Sequence, residues 1–346
     1  MNRRAYVAAG ATVLIFLLVQ VGALAMVEPF QSAGLQTVED PRDPTNSLLY
    51  LVAILVATGA MLAAFKLGGD AVIRLFIVLS GGLLSYYVFL VLLPPVAVVG
   101  GFSGSALVAA GALALALLVY PEWYVIDATG VVMGVGAAAL FGISFGLLPA
   151  LLLLTALAVY DAISVYGTEH MLTLAAGVMD LRVPVVLVVP LTLGYSFLEE
   201  EGAARVSDEG ATPDGGDAGA TPADLDDSAN ADGGGEDDSE GVDGPDPAER
   251  DAFFIGLGDV VMPTILVASA AFFLETPSLG VPGLPTLTLP ALTAMIGTIA
   301  GLLVLVGMVM RGRAHAGLPL LNGGAIGGYL VGALAAGVPL LRALGI

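Results

Sequence analysis

The sequence predicts an all-α polytopic membrane protein with nine transmembrane helices, its N-terminus inside and its C-terminus outside. Three observations carry that reading. The 346 residues are 57% hydrophobic, and the mean hydropathy of +0.93 is far above that of a soluble domain. The apolar residues gather into runs of about 20, the length that crosses a bilayer as helix. Lysine and arginine fall almost entirely to one side of those runs.

The runs are 5–27, 48–66, 72–93, 95–119, 123–143, 145–167, 252–275, 287–310 and 317–341. The first follows Arg3 and Arg4 and ends near Ala23-Leu24-Ala25, as a secretory signal would. Its apolar core exceeds the usual 7–15 residues of such a signal, so it is read as a retained helix. Glycine and alanine are dense within the runs, as expected where helices pack closely in lipid. Residues 183–197 are apolar but short and contain Pro184 and Pro190, so they read as an extended or re-entrant piece. Residues 199–250 hold 18 Asp and Glu against two Arg and almost no large apolar side chain. Such a composition cannot bury a core and reads as a disordered loop. The chain thus divides into an N-terminal membrane part of six helices, 1–182, a connector with the acidic loop, 183–250, and a C-terminal membrane part of three helices, 251–346.

With the N-terminus inside, Arg3, Arg4, Lys66, Arg74, Arg182, Arg205, Arg250, Arg311 and Arg313 are all cytoplasmic, and only Arg42 and Arg342 fall outside. If 183–197 spanned the membrane, Arg311 and Arg313 would move outside. The acidic loop is therefore placed in the cytoplasm of a multi-pass protein of the cell membrane.

Composition also excludes chemistry. The chain has no cysteine, which removes disulfides, zinc–thiolate sites and cysteine nucleophiles. Its two histidines form no metalloprotease pattern, and neither a metal nor a cofactor is expected. The net charge of −20 is local: residues 199–250 account for −16 of it. That loop repels phosphate, so nucleic acid is not a partner; it reads as a solvating tether. One lysine against ten arginines, with so acidic a loop, points to a salt-adapted, halophilic source.

Two carboxylates interrupt the apolar runs: Asp161 in Tyr160-Asp161-Ala162-Ile163 and Asp259 in Gly256-Leu257-Gly258-Asp259. A charge at membrane depth costs about 3 kcal/mol on insertion scales, so each demands a reason. Asp161 lies six residues before the inner end of the sixth helix, roughly 9 Å, and Asp259 eight residues into the seventh, roughly 12 Å. The two helices run antiparallel, so the aspartates sit at similar depth and can face each other. Facing carboxylates suit peptide hydrolysis: they cannot both ionise at close range, so one serves as acid and the other as base toward water. Gly256 and Gly258 would let a peptide backbone approach. The alternative reading is a transporter or ion channel using the same aspartates as proton or cation ligands.

These motifs resemble the presenilin and signal peptide peptidase family of intramembrane aspartyl proteases, and the chain looks like an archaeal presenilin-like homologue. Tyr160-Asp161 and Gly256-Leu257-Gly258-Asp259 match the family's Tyr-Asp and Gly-x-Gly-Asp. Tyr166-Gly167-Thr168 and Val260-Val261-Met262-Pro263, which follow them, are similar to the signal peptide peptidase branch. The resemblance implies a presenilin-like fold and catalysis by Asp161 and Asp259. It also implies that transmembrane segments of membrane proteins are substrates, with the lipid bilayer as surroundings; a homo-oligomer is left open. The family's Pro-Ala-Leu motif is matched imperfectly by Leu318-Pro319-Leu320 at the start of the ninth helix, a segment that would shape the site and contact substrate. A literal Pro290-Ala291-Leu292 opens the eighth helix at the outer face, the wrong end for this site. Tyr160 either positions the pair or packs.

Other polar residues have simpler readings. Gly101-Phe102-Ser103-Gly104 resembles a rhomboid-type serine turn, but His170 and His315 map to the opposite side of the membrane, out of reach as bases. Asp127, near the inner end of the fifth helix, reads as structural. Residues 183–197 could offer a strand edge to an unwound substrate.

Overall fold

In lipid the backbone has no water to bond with, so apolar runs close their hydrogen bonds internally as helix. The computed structural model describes residues 3–167, 185–190, 252–309 and 316–346. Its helices are α1 (Arg3–Ser32), α2 (Thr45–Lys66), α3 (Asp70–Leu92), α4 (Gly104–Val119), α5 (Trp123–Ser144), α6 (Leu147–Gly167), α7 (Leu257–Phe273), α8 (Leu289–Val309), α9 (Gly317–Ala335) and a short α10 (Leu340–Ala343). Among the described residues seven helices are long and apolar enough to cross a membrane; α4 and α7 are shorter apolar helices of 16 and 17 residues. The predicted acidic loop, most of 183–197, and His170 and His315 lie outside the described residues.

Two predicted runs are corrected at their starts. The fourth begins at Gly104 rather than at residue 95, because the preceding segment folds as a hairpin of β1 (Val98–Val99) and β2 (Phe102–Ser103). Gly100 and Gly101 take φ of 59° and 89° at its turn, where a side chain would be strained. The seventh begins at Leu257 rather than at residue 252. Residues Ala252–Gly256 form β4, which pairs antiparallel with β3 (Val186–Pro190), Val186 opposite Gly256 and Pro190 opposite Ala252. Phe253, Phe254 and Ile255 are the residue types that suit a strand, and Gly256 ends it. The ninth run also stops early, at Ala335; Gly337 takes a φ of 78° before α10.

The core forms around α5, the most enclosed of the seven long helices, with α1, α3 and α7 packed on it. From α1, Phe16, Val19, Ala23 and Val27 are fully buried in this core. Small residues set the spacing: a Cβ on Gly142 of α5 would lie 2.3 Å from the Ala268 Cβ of α7. The closest approach is between α8 and α9. A Cβ on Gly297 would lie 2.0 Å from the Gly324 carbonyl oxygen, and one on Gly324 2.2 Å from the Gly297 carbonyl oxygen. Gly301 on α8, and Gly328 and Gly332 on α9, continue the stripe at four-residue spacing, as in close-packed membrane helix pairs. Backbone cannot yield as a flexible side chain can. Gly324→Ala is expected to destabilise the protein by about 1–3 kcal/mol, seen as a lower thermal midpoint in detergent. Gly323→Ala, with nothing within 4 Å of the added carbon, should leave that midpoint unchanged.

Candidate active site

Gly256 closes β4 and caps α7, which puts Asp259 in the first helical turn, not two turns in. The first-turn Leu257 N–H, which has no partner within its own helix, donates to the Val185 carbonyl at 2.7 Å. The start of α7 is thus fixed by the strand pair. Asp161 sits where the sequence placed it, six residues before the end of α6, and is 5% exposed.

The N-terminus of α9 joins the two. Its second residue, Leu318, donates its N–H to Asp161 Oδ2 at 3.1 Å, and the Gly317 N–H also bonds Asp161. A Cβ on Gly317 would lie 3.5 Å from Asp259 Oδ2. Both carboxylates therefore converge on one turn of α9, and their charges are close enough to interact. Unpaired N–H groups at a helix start attract negative charge, which explains why α9 begins against Asp161. Pro319 follows in the same turn, where its missing N–H costs nothing.

The remaining predicted site residues divide. Gly256 faces Asp259: a Cβ there would lie 3.4 Å from Oδ2. Nothing lies within 4 Å of a Cβ on Gly258, so one side of the motif is open. Leu257 is buried with its side chain 3.2 Å from the Cβ position of Gly134 on α5, supporting the site from behind. The Leu320 carbonyl is pressed against Gly301 of α8. Tyr160 is 37% exposed, and among the described residues no hydrogen bond ties it to Asp161. The literal Pro290-Ala291-Leu292 opens α8, whereas Leu302 and Val309, toward the other end, line the hollow beside Asp259; the motif is far from the site. Ser103 shares a hydrogen bond with Ser105, whose hydroxyl bonds the Pro94 carbonyl, so it joins hairpin to helix.

Sequence reasoning missed Gly317 and β4. Gly317 precedes the imperfect motif and carries no chemistry of its own; only its lack of a side chain matters. The Phe253-Phe254-Ile255 run looked like more helix. Asp127 has the structural role expected: its Oδ1 accepts the Val188 N–H at 2.7 Å, fastening β3 to α5. Among the described residues no cluster of three His, Asp or Glu exists that could hold a metal ion.

A family model described as signal-peptide peptidase, presenilin aspartyl protease matches residues 13–338. Two solved structures of a presenilin family intramembrane aspartate protease, in C222 and P2 space groups, are similar. The first is 32% identical with a TM-score of 0.61, covering 95% of this chain and 99% of that one. The second is 32% identical with a TM-score of 0.57, covering 94% and 97%. A search of curated protein sequences returns no significant match.

Asp127 supplies the test of this frame. Asp127→Ala leaves the Val188 N–H without its acceptor, at a cost of about 1–3 kcal/mol, and should lower both the thermal midpoint and proteolytic activity. Asp127→Asn keeps an acceptor oxygen and should restore most of both.

Proposed function

Since the chain belongs to the signal-peptide peptidase, presenilin aspartyl protease family and is an intramembrane aspartyl protease, we propose that Asp161 and Asp259 are its catalytic pair. The observation that carries this is their convergence on Gly317 and Leu318. Two carboxylates that converge in this way hold one proton between them. The ionised member takes a proton from water as the water oxygen bonds the scissile carbonyl carbon. The protonated member gives its proton to the carbonyl oxygen, and a tetrahedral diol forms. Collapse of the diol breaks the C–N bond: one hydroxyl proton passes to the ionised carboxylate, and the departing nitrogen takes the proton of the protonated one, which leaves an amine, a carboxylic acid and a pair again holding one proton. The Gly317 and Leu318 N–H groups hold Asp161 in position. Membership in this family favours proteolysis over the transporter or channel alternative.

Proteolysis requires an extended backbone, and strand addition supplies one. The sequence pointed to 183–197 for that edge. The outer edge of β3 is taken by Asp127, so the better platform is β4. It has no second strand partner among the described residues and ends three residues before Asp259. The substrates are transmembrane segments of membrane proteins. The charge bias supports a cytoplasmic acidic loop and the composition a halophilic source; with the loop inside, as the resemblance to the presenilin branch implies, substrates would be single-span segments with their N-termini outside.

The pair is tested with a labelled single-span substrate in detergent. Asp161→Ala and Asp259→Ala should each lower kcat by at least about a hundredfold; Asp161→Asn, which keeps an acceptor oxygen for the Leu318 N–H, should lose activity to the same degree with the thermal midpoint retained. Normal cleavage by any of these variants would remove the pair. For orientation, the absence of cysteine makes Ser228→Cys a unique label site. It should react with a membrane-impermeant maleimide only after cells are permeabilised; labelling of intact cells would place the loop outside.

A further inference from the structure

Gln20 of α1 is 0% exposed, and neither its amide nitrogen nor its amide oxygen has a hydrogen-bond partner among the described residues. Other buried polar side chains of the helices around it are satisfied. Thr12 of α1, Thr264 of α7 and Thr298 of α8 each donate to a carbonyl of their own helix, and Ser269 of α7 donates to the Phe145 carbonyl. A glutamine amide carries two N–H donors and an oxygen with two lone pairs. Enclosed in an apolar bundle with neither end met, it is a costly group to bury. Gln20 therefore calls for a partner that the packed side chains do not supply.

Its position says what that partner is for. A Cβ on Gly134 of α5 would lie 3.6 Å from a Val19 methyl on α1, and 3.2 and 3.5 Å from methyls of Leu257 and Val261 on α7. Val19 is thus level with the turn of α7 that carries Asp259, and Gln20 is the next residue. Val19 and Gly22, whose Cβ would lie 2.5 Å from a Val135 methyl, mark the face of α1 that meets α5. Gln20 stands off that face. It stacks one turn along from Phe16, which borders the space beside Asp259, where α1 packs on α7 and α8. On α7, Pro263 has no N–H, so the Asp259 main-chain carbonyl lacks its helical donor. An amide with both ends free and a carbonyl without its usual donor thus share one level of the bundle.

We propose that Gln20 holds a buried water at the level of the aspartate pair and supplies it for hydrolysis. The proposal rests on Asp161 and Asp259 being catalytic. The water oxygen accepts an amide N–H, one O–H donates to the amide oxygen, and the second O–H turns to the Asp259 carbonyl. Three bonds are typical of a buried water. Each cleavage consumes one water, converting a peptide bond into an acid and an amine. A substrate seated over the pair shields it from bulk water, whereas a molecule held by Gln20 is already inside. It passes to the ionised carboxylate, and bulk water refills the site once the products leave.

The chain has three glutamines, Gln20, Gln31 and Gln36. Nitrogen-15 labelling of glutamine side chains in the full-length protein in detergent therefore gives three amide signals. Gln31→Met and Gln36→Met assign the Gln20 signal by elimination, whatever a Gln20 variant does to folding. In wild type that signal should show direct dipolar transfer from water. Gln20→Met keeps nearly the same volume but cannot hold water. With a labelled single-span substrate it should lower kcat about tenfold or more at unchanged KM, while its thermal midpoint stays or rises because a buried amide is gone. Gln20→Asn, which keeps the amide, should retain most of the wild-type kcat. Lowering water activity with an osmolyte should slow Gln20→Met more steeply than wild type, since the variant draws every water from outside. No transfer from water at the wild-type amide would overturn the site. Transfer together with a wild-type kcat in Gln20→Met would make the water a packing element and overturn its catalytic supply. An equal loss in Gln20→Met and Gln20→Asn, with KM raised in both, would mark Gln20 as a packing residue and also overturn it. Wild-type activity in Asp161→Ala or Asp259→Ala would overturn the catalytic pair instead.

Discussion

The hydrogen bond from the Leu318 N–H to Asp161 Oδ2 is the interaction on which the site depends. It joins three separate parts of the chain: the end of α6, the beginning of α9 and, through Gly317, the first turn of α7. A carboxylate at membrane depth is costly unless donors meet it. A helix N-terminus has donors that no other residue of that helix can use. Each is a liability alone, and together they form a fixed point. Asn322, one turn further along α9, reinforces it by donating its amide to the Leu154 carbonyl of α6 at 3.0 Å.

The rest of the fold holds that point still. Glycines let α8 and α9 meet backbone to backbone, so the start of α9 cannot slide without its partner. The strand pair sets where α7 begins, and Asp127 fixes the strand pair to α5, the most enclosed long helix. Asp259 thus inherits its position from a β-structure, while Asp161 inherits its own from a helix. Polar side chains inside the bundle serve the same end: Ser269 of α7 bonds the Phe145 carbonyl just beyond α5, and Ser47 of α2 bonds the Pro149 carbonyl of α6.

Helices and carboxylates were legible in the sequence because lipid imposes simple rules. A run of twenty apolar residues has one low-energy backbone in a bilayer, and a charge within it stands out. The sequence paired Asp161 with Asp259 by counting depth at helical rise, and for Asp259 that count ran through residues 252–256, which are strand. That regularity failed at two places. Residues 252–256 carry the same apolar signal as a helix, and only a strand partner more than sixty residues earlier decides otherwise. Residues 95–103 became a hairpin because glycines at positive φ took priority over hydropathy. Gly317 was invisible for a different reason. Its contribution is an absence of atoms beside Asp259, and an absence has no motif. Leu318 was selected for its likeness to a family segment, but what it supplies is a backbone N–H that almost any residue could provide.

The β3–β4 register sets Pro190 beside Ala252. The 61 residues between them in the sequence therefore begin and end side by side. Strand pairing brings together two segments that are remote along the chain, and it does so three residues before Asp259. The strand pair thus works as a clasp: what fixes Gly256 and Asp259 is the pairing of the two segments, whatever their distance apart in the sequence.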